Sequence, residues 1–91
     1  MRNAPLRVEW QPTALADLEA AYAYLLPLNP SAAARTVREL AVAADSLATF
    51  PHRGRPGRVA GTRELAAVHP YALVYEVRPD AVVILRVWHG A

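Results

Sequence analysis

The chain has 91 residues, with ten arginines set against eight acids, no lysine and no cysteine, for a formal net charge of +2. That length suits a single domain over residues 1–91, which buries roughly 60–65% of its unfolded surface and leaves no room for a deep active-site cavity beside the core. The lack of cysteine excludes a disulfide frame and thiol chemistry, and apolar stretches broken well short of about 20 residues exclude a membrane-spanning helix.

In chain order, Leu6, Val8 and Trp10 alternate with Arg7 and Glu9, the period of a half-buried strand, which Pro12 stops. Pro12 also suits the first position of a helix, with Asp17 and Glu19 near enough its start to favour the dipole. Leu15, Leu18, Tyr22 and Leu25 recur at steps of three and four and predict the apolar stripe of that helix, which ends near Leu26 because Pro27 and Pro30 follow. Asn29 then caps a second helix with Pro30 at its first position. Ala33, Val37, Leu40, Ala44 and Leu47 form its stripe. A connector this short makes the two helices antiparallel, and alanines let them approach closely.

Phe50 to Gly61 is rich in Gly and Pro, which predicts an irregular loop, and it carries Arg53, Arg55 and Arg58. Three strand-like runs follow at 62–68, 71–77 and 82–88, separated by His69-Pro70 and Arg78-Pro79-Asp80 turns, as in an antiparallel meander. The fold class is therefore α+β, β-α-α-β-β-β, a helical hairpin packed on one face of a mostly antiparallel sheet.

Charge follows the same division. Residues 1–50 carry four Arg and five acids, a net of −1, whereas residues 51–91 carry six Arg and three acids, a net of +3. Guanidinium groups supply planar, bidentate donors on the sheet half. Arg55 and Arg58 on the loop, Arg63 at a strand start and Arg86 in an apolar run are the candidate binding cations, each weighed against a plain solvated face or, for Arg86, an ion pair with Glu76. Arg63 and Glu64 alternate and so face opposite ways. His52, His69 and His89 lack the spacing of a metal site and no carboxylate cluster completes one, so no metal and no cofactor is expected. Walker, dinucleotide and serine-triad signatures are absent from the sequence.

Several stretches go beyond pattern. Gly61-Thr62-Arg63-Glu64-Leu65, the run Pro70-Tyr71-Ala72-Leu73-Val74-Tyr75-Glu76-Val77 and the run Val83-Ile84-Leu85-Arg86-Val87-Trp88-His89-Gly90-Ala91 resemble the RelE/ParE superfamily of toxins from type II toxin–antitoxin systems. Trp10-x-Pro12-x-Ala14-Leu15-x-Asp17-Leu18 and Asn29-Pro30-x-Ala32-Ala33 resemble its ParE side. The resemblance implies a cytoplasmic, plasmid-stabilisation-type toxin neutralised by a cognate antitoxin whose extended arm lies over the hairpin and the sheet edge. Trp10, Leu18, Tyr22, Leu25, Val37 and Leu40 are the expected antitoxin contacts.

Two activities divide the superfamily. ParE-like members poison DNA gyrase without known nuclease activity, and this reading assigns Arg55, Arg58, Arg63, Arg86 and His89 to target binding with no catalytic residue. RelE-like members cleave mRNA on the ribosome, and the alternative reading would give Arg63, Arg86 and His89 that chemistry. No lysine is present and His52 is the one candidate base in the loop, which favours the gyrase reading.

Overall fold

The computed structural model describes residues 4–90. Strand β1 (Arg7–Trp10) leads directly into helix α1 (Pro12–Leu25), and α2 (Pro30–Ser46) follows. Four further strands complete the chain: β2 (Arg55–Pro56), β3 (Arg63–Val68), β4 (Tyr71–Val77) and β5 (Ala81–His89). They form one five-stranded sheet in the order β1-β5-β4-β3-β2, parallel between β1 and β5 and antiparallel elsewhere. The two helices pack on this sheet as the sequence predicts, and no helix among the described residues is long and apolar enough to cross a membrane.

Local chemistry sets the helix boundaries. Asn29 adopts an extended conformation and its side-chain oxygen accepts the Ala32 N–H at 3.1 Å, while Pro30 spends no backbone donor at the first position. The α1 stripe differs from the sequence reading. Ala14 and Ala21 are its buried positions, Leu18 and Leu25 are half-buried, and Leu15 and Tyr22 are exposed. Small residues on the inner line let α1 lie close against β5, which turns the larger Leu15 and Tyr22 outward. In α2 the expected stripe holds, with Ala33, Leu40, Ala44 and Leu47 buried and Val37 half-buried.

Tyr75, Leu73, Val82 and Ile84 from the sheet meet Leu40 and Leu47 from α2, and all six are fully buried. Leu6, Val8 and Trp10, each half-buried, pack against the same cluster.

Two irregularities shape the sheet. The register of β4 with β5 runs Tyr75 to Ile84 and then Val74 to Arg86, which leaves Leu85 as a bulge. Carbonyls of both Ile84 and Leu85 consequently turn to the β1 side, where Gln11 N–H and the Thr13 hydroxyl donate to them at 2.9 Å each. The second irregularity is β2 itself. The 50–61 segment is not wholly irregular, because Arg55 and Pro56 pair with Glu64 and Arg63 and add a two-residue edge strand.

Candidate functional site

Glu64 organises the arginine loop. Its side chain is 2% exposed, on the sheet face opposite the helices, and its carboxylate accepts the Arg58 backbone N–H at 2.9 Å. The Arg58 and Arg55 guanidinium groups each lie 3.3 Å from it. Donation by the Arg58 N–H holds the carboxyl below the usual carboxylate range despite its burial, and the two guanidinium groups act in the same direction. Arg58 then lies across the Trp88 ring, 4.6 Å from its centroid. Two of the arginines expected to bind a target are therefore tied to one buried acid, yet their side chains remain 74% and 66% exposed.

A second anchor comes from the core side. The buried Tyr75 hydroxyl donates to the Pro51 carbonyl at 2.8 Å and accepts the Gly54 N–H at 2.9 Å. Glycine is required here because a Cβ on Gly54 would stand 2.8 Å from both the Glu64 carbonyl and the Tyr75 hydroxyl. Arg63 donates to the Gly54 carbonyl at 2.6 Å, and Arg53 to the Ser46 hydroxyl at 2.9 Å. Among the described residues neither has a carboxylate partner, so both charges stay uncompensated. The loop is thus pinned from both sides, with Arg55 and Arg58 held on the face of Glu64 and Arg63 on the helix side.

Arg86 departs from the sequence reading. Glu76 pairs with Arg78, and Arg86 instead meets Asp17 of α1, with contacts of 2.7 and 3.1 Å. The Arg86 guanidinium holds the Asp17 carboxyl below the usual range, and the Val87 N–H, 2.9 Å away, adds to the effect. The chain leaves the sheet after Trp10, and Asp17 satisfies the Val87 N–H on the strand edge that β1 no longer covers. Its role is this clamp and not the dipole contact that its place in the sequence suggests.

The trio of the nuclease reading is not assembled. Arg63 stands opposite Tyr75 and His89 opposite Tyr71, both on the helix side of the sheet, while Arg86 shares the row of Val74 and Glu64 on the other side. Four residues along and two strands across separate Arg63 from His89, roughly 16 Å at about 3.3 Å per residue and 4.8 Å per strand. His89 packs edge-on against Tyr71, with ring centroids 5.3 Å apart. His52 lies in the loop, exposed and near Arg63.

The hairpin surface gives a mixed result for the expected antitoxin contacts. Leu18, Tyr22 and Val37 line a shallow groove of about 200 Å³ between the helices, and Trp10 and Leu25 are half-buried. Leu40 is fully buried and cannot meet a partner without unfolding, a correction that follows from its place at the α2–sheet contact.

The model of the ParE toxin family, the toxin of the type II toxin–antitoxin system parDE, matches residues 8–91. The chain belongs to this family. Its relatives include toxin RelE2 of Caulobacter vibrioides, 45% identical over 85 residues that span 93% of this chain and 96% of that protein. Y4kP of Sinorhizobium fredii is 43% identical over 85 residues, 92% of this chain and 88% of that one. Among solved structures, a chain of the chromosomal ParDE system of P. aeruginosa superposes with a TM-score of 0.85 at 27% identity, covering 94% of this toxin and 97% of that chain. A chain of the RelBE2 toxin–antitoxin complex of Mycobacterium tuberculosis gives 0.64 at 33% identity, covering 97% and 94%.

Three residues that build the candidate site are not among those the sequence singles out for it: Glu64, Tyr75 and Asp17. A signal for the first was present, since Glu64 is the one acid between Asp45 and Glu76 and shares that stretch with four arginines. Tyr75 and Asp17 act through the loop and the bulge, and nothing in their spacing announces either.

Proposed function

We propose that this toxin arrests growth by binding and poisoning DNA gyrase, in the cytoplasm, and that a cognate antitoxin neutralises it. The observation that carries this reading is the arginine loop. Arg55 and Arg58 are held by the buried Glu64 carboxylate, and Arg53 and Arg63 by the Ser46 hydroxyl and the Gly54 carbonyl of a loop that the Tyr75 phenol anchors, an arrangement suited to binding an acidic or DNA-associated surface. Cutting RNA would need an acid and a base close to one phosphate, and the candidates for those roles lie apart. An arginine does not serve as a base at neutral pH.

The antitoxin is supported by the family and by the exposed apolar positions on the hairpin, Leu28, Tyr24 and Val42 above all, with Leu15 and Tyr22 less open. Expression of the toxin alone should stop growth with gyrase trapped on cleaved DNA and ribosome-bound mRNA intact. Intact gyrase function with cleaved mRNA would replace this reading with the nuclease one.

A further inference from the structure

The sheet face opposite the helices carries a hollow. Ala66 and Ala72, on adjacent strands, floor it, and Arg55, Arg58, Glu64 and His69 line it around an open volume of about 780 Å³. Short side chains on the two strands make the depression. The loop wall keeps its place because Arg55 and Pro56 pair with β3 and the Gly57 N–H donates to the Thr62 carbonyl at 2.8 Å.

Trp88 stands beside this hollow, directly across the β4–β5 ladder from Ala72, and the Arg58 guanidinium lies 4.6 Å from its ring centroid. Glu64 alone would aim that guanidinium loosely. Its contacts to the Arg58 side chain, 3.3 and 3.4 Å, are long for charge-assisted bonds, which run at about 2.7–2.9 Å. The aromatic face supplies the second surface that fixes the guanidinium plane. Arg58 then commits Nε and Nη2 to Glu64, and Arg55 commits Nη2. Among the described residues, Nη1 of both side chains donates to nothing.

We infer that an acidic protein segment of gyrase docks in this hollow, and that Trp88 is the positioning residue that aims Arg58 at it. A carboxylate takes the free donors of Arg55 and Arg58 while a neighbouring apolar side chain lies on Ala66 and Ala72. This rests on the gyrase reading above.

The hollow suits protein better than DNA. A nucleic-acid strand is charged at every unit and is met by runs of uncompensated cations. Here two cations share one buried acid, a net of +1 for Arg55, Arg58 and Glu64 together, and border an apolar floor. One carboxylate beside an apolar side chain matches both features. Tryptophan and arginine are also the residues in which protein interfaces concentrate their binding energy.

The test is a double-mutant cycle on affinity for purified, DNA-free gyrase, with a short DNA duplex as the second probe. Trp88→Leu keeps apolar bulk without an aromatic face, and Trp88→Phe keeps a face. Wild type should bind the DNA-free enzyme, Trp88→Leu should bind at least about fivefold more weakly, and Trp88→Phe should stay within about twofold of wild type. Arg58→Ala should weaken binding by about tenfold or more, and adding Trp88→Leu to it should weaken it no further. A merely structural Trp88 would instead lower the thermal midpoint and add in full to Arg58→Ala.

Wild-type affinity in Trp88→Leu, or losses that add in full, overturns the positioning role. Full affinity in the Arg55→Ala, Arg58→Ala double variant overturns the hollow as the docking site. Binding that needs the duplex and still depends on both arginines assigns the hollow to DNA and overturns the occupant. These results leave the gyrase reading standing, whereas a wild type that neither binds gyrase nor blocks supercoiling refutes that reading and this inference with it.

Discussion

Glu64 and Arg58 sit six residues apart and meet through three contacts, the backbone N–H at 2.9 Å and two guanidinium nitrogens at 3.3 and 3.4 Å. The pair is asymmetric. Glu64 is buried and Arg58 is largely exposed, so the acid depends on the arginine far more than the reverse. Glu64→Gln should therefore lower stability by about 1–3 kcal/mol, because a buried acceptor loses charge-assisted donors. Arg55→Ala, which removes one exposed partner, should cost under about 1 kcal/mol. Urea denaturation of both variants tests the difference, and equal losses would remove Glu64 from its organising role.

Acid should weaken the fold through the same group and through Asp17. Both carboxyls are held lower in the folded chain than their unfolded values, near 4. Their contribution is thus fully present above about pH 4 and is lost as pH falls through the lower folded values. Unfolding free energy measured from pH 7 to pH 2 should fall less steeply in the Asp17→Asn, Glu64→Gln double variant than in the wild type. An unchanged slope would show that neither group is linked to folding.

Core and partner surface can be separated on the hairpin. Leu40→Ala should cost about 2–5 kcal/mol, the range for emptying a buried leucine site. Tyr22→Ala, at an exposed position, should stay within about 0.5 kcal/mol of the wild type in stability and weaken antitoxin binding. Thermal melts and a titration of each variant with the antitoxin decide it, and a Tyr22 variant that binds normally removes that residue from the interface.

Loop rigidity depends on Gly54 and Tyr75. Gly54→Ala drives a Cβ against backbone and phenol, and Tyr75→Phe leaves the Gly54 N–H and the Pro51 carbonyl without their shared partner. Tyr75→Phe should cost about 1–3 kcal/mol. Faster amide exchange at Gly54 should accompany it, and unaltered exchange there would mean that the phenol does not hold the loop.

The alternation of Leu6, Val8 and Trp10, the Asn29-Pro30 cap and the proline-punctuated strand runs made the order of elements legible, because each rests on local backbone chemistry. Leu15 and Tyr22 misled because helical spacing fixes a stripe only to within a residue or two, and the alanines beside them decided which line went inward. Arg55-Pro56 became a strand only because β3 offered an edge, a non-local partner that loop composition cannot reveal. Asp17 with Arg86 spans 69 positions and depends on the Leu85 bulge, so pairing Arg86 with the nearer Glu76 was the natural local inference and the wrong one. The loop arginines were visible in the sequence, whereas their shared hold on Glu64 required the fold.

The most direct measurement is supercoiling by purified gyrase in the presence of this toxin and of a variant with Arg55, Arg58 and Arg63 all changed to Ala, beside an in vitro translation reaction. Gyrase poisoning requires that the wild type block supercoiling and accumulate cleaved DNA, that the triple variant need at least about tenfold more protein, and that translated mRNA stay whole. Normal supercoiling at concentrations that cut ribosome-bound mRNA, with the cutting lost in His89→Ala, would contradict it.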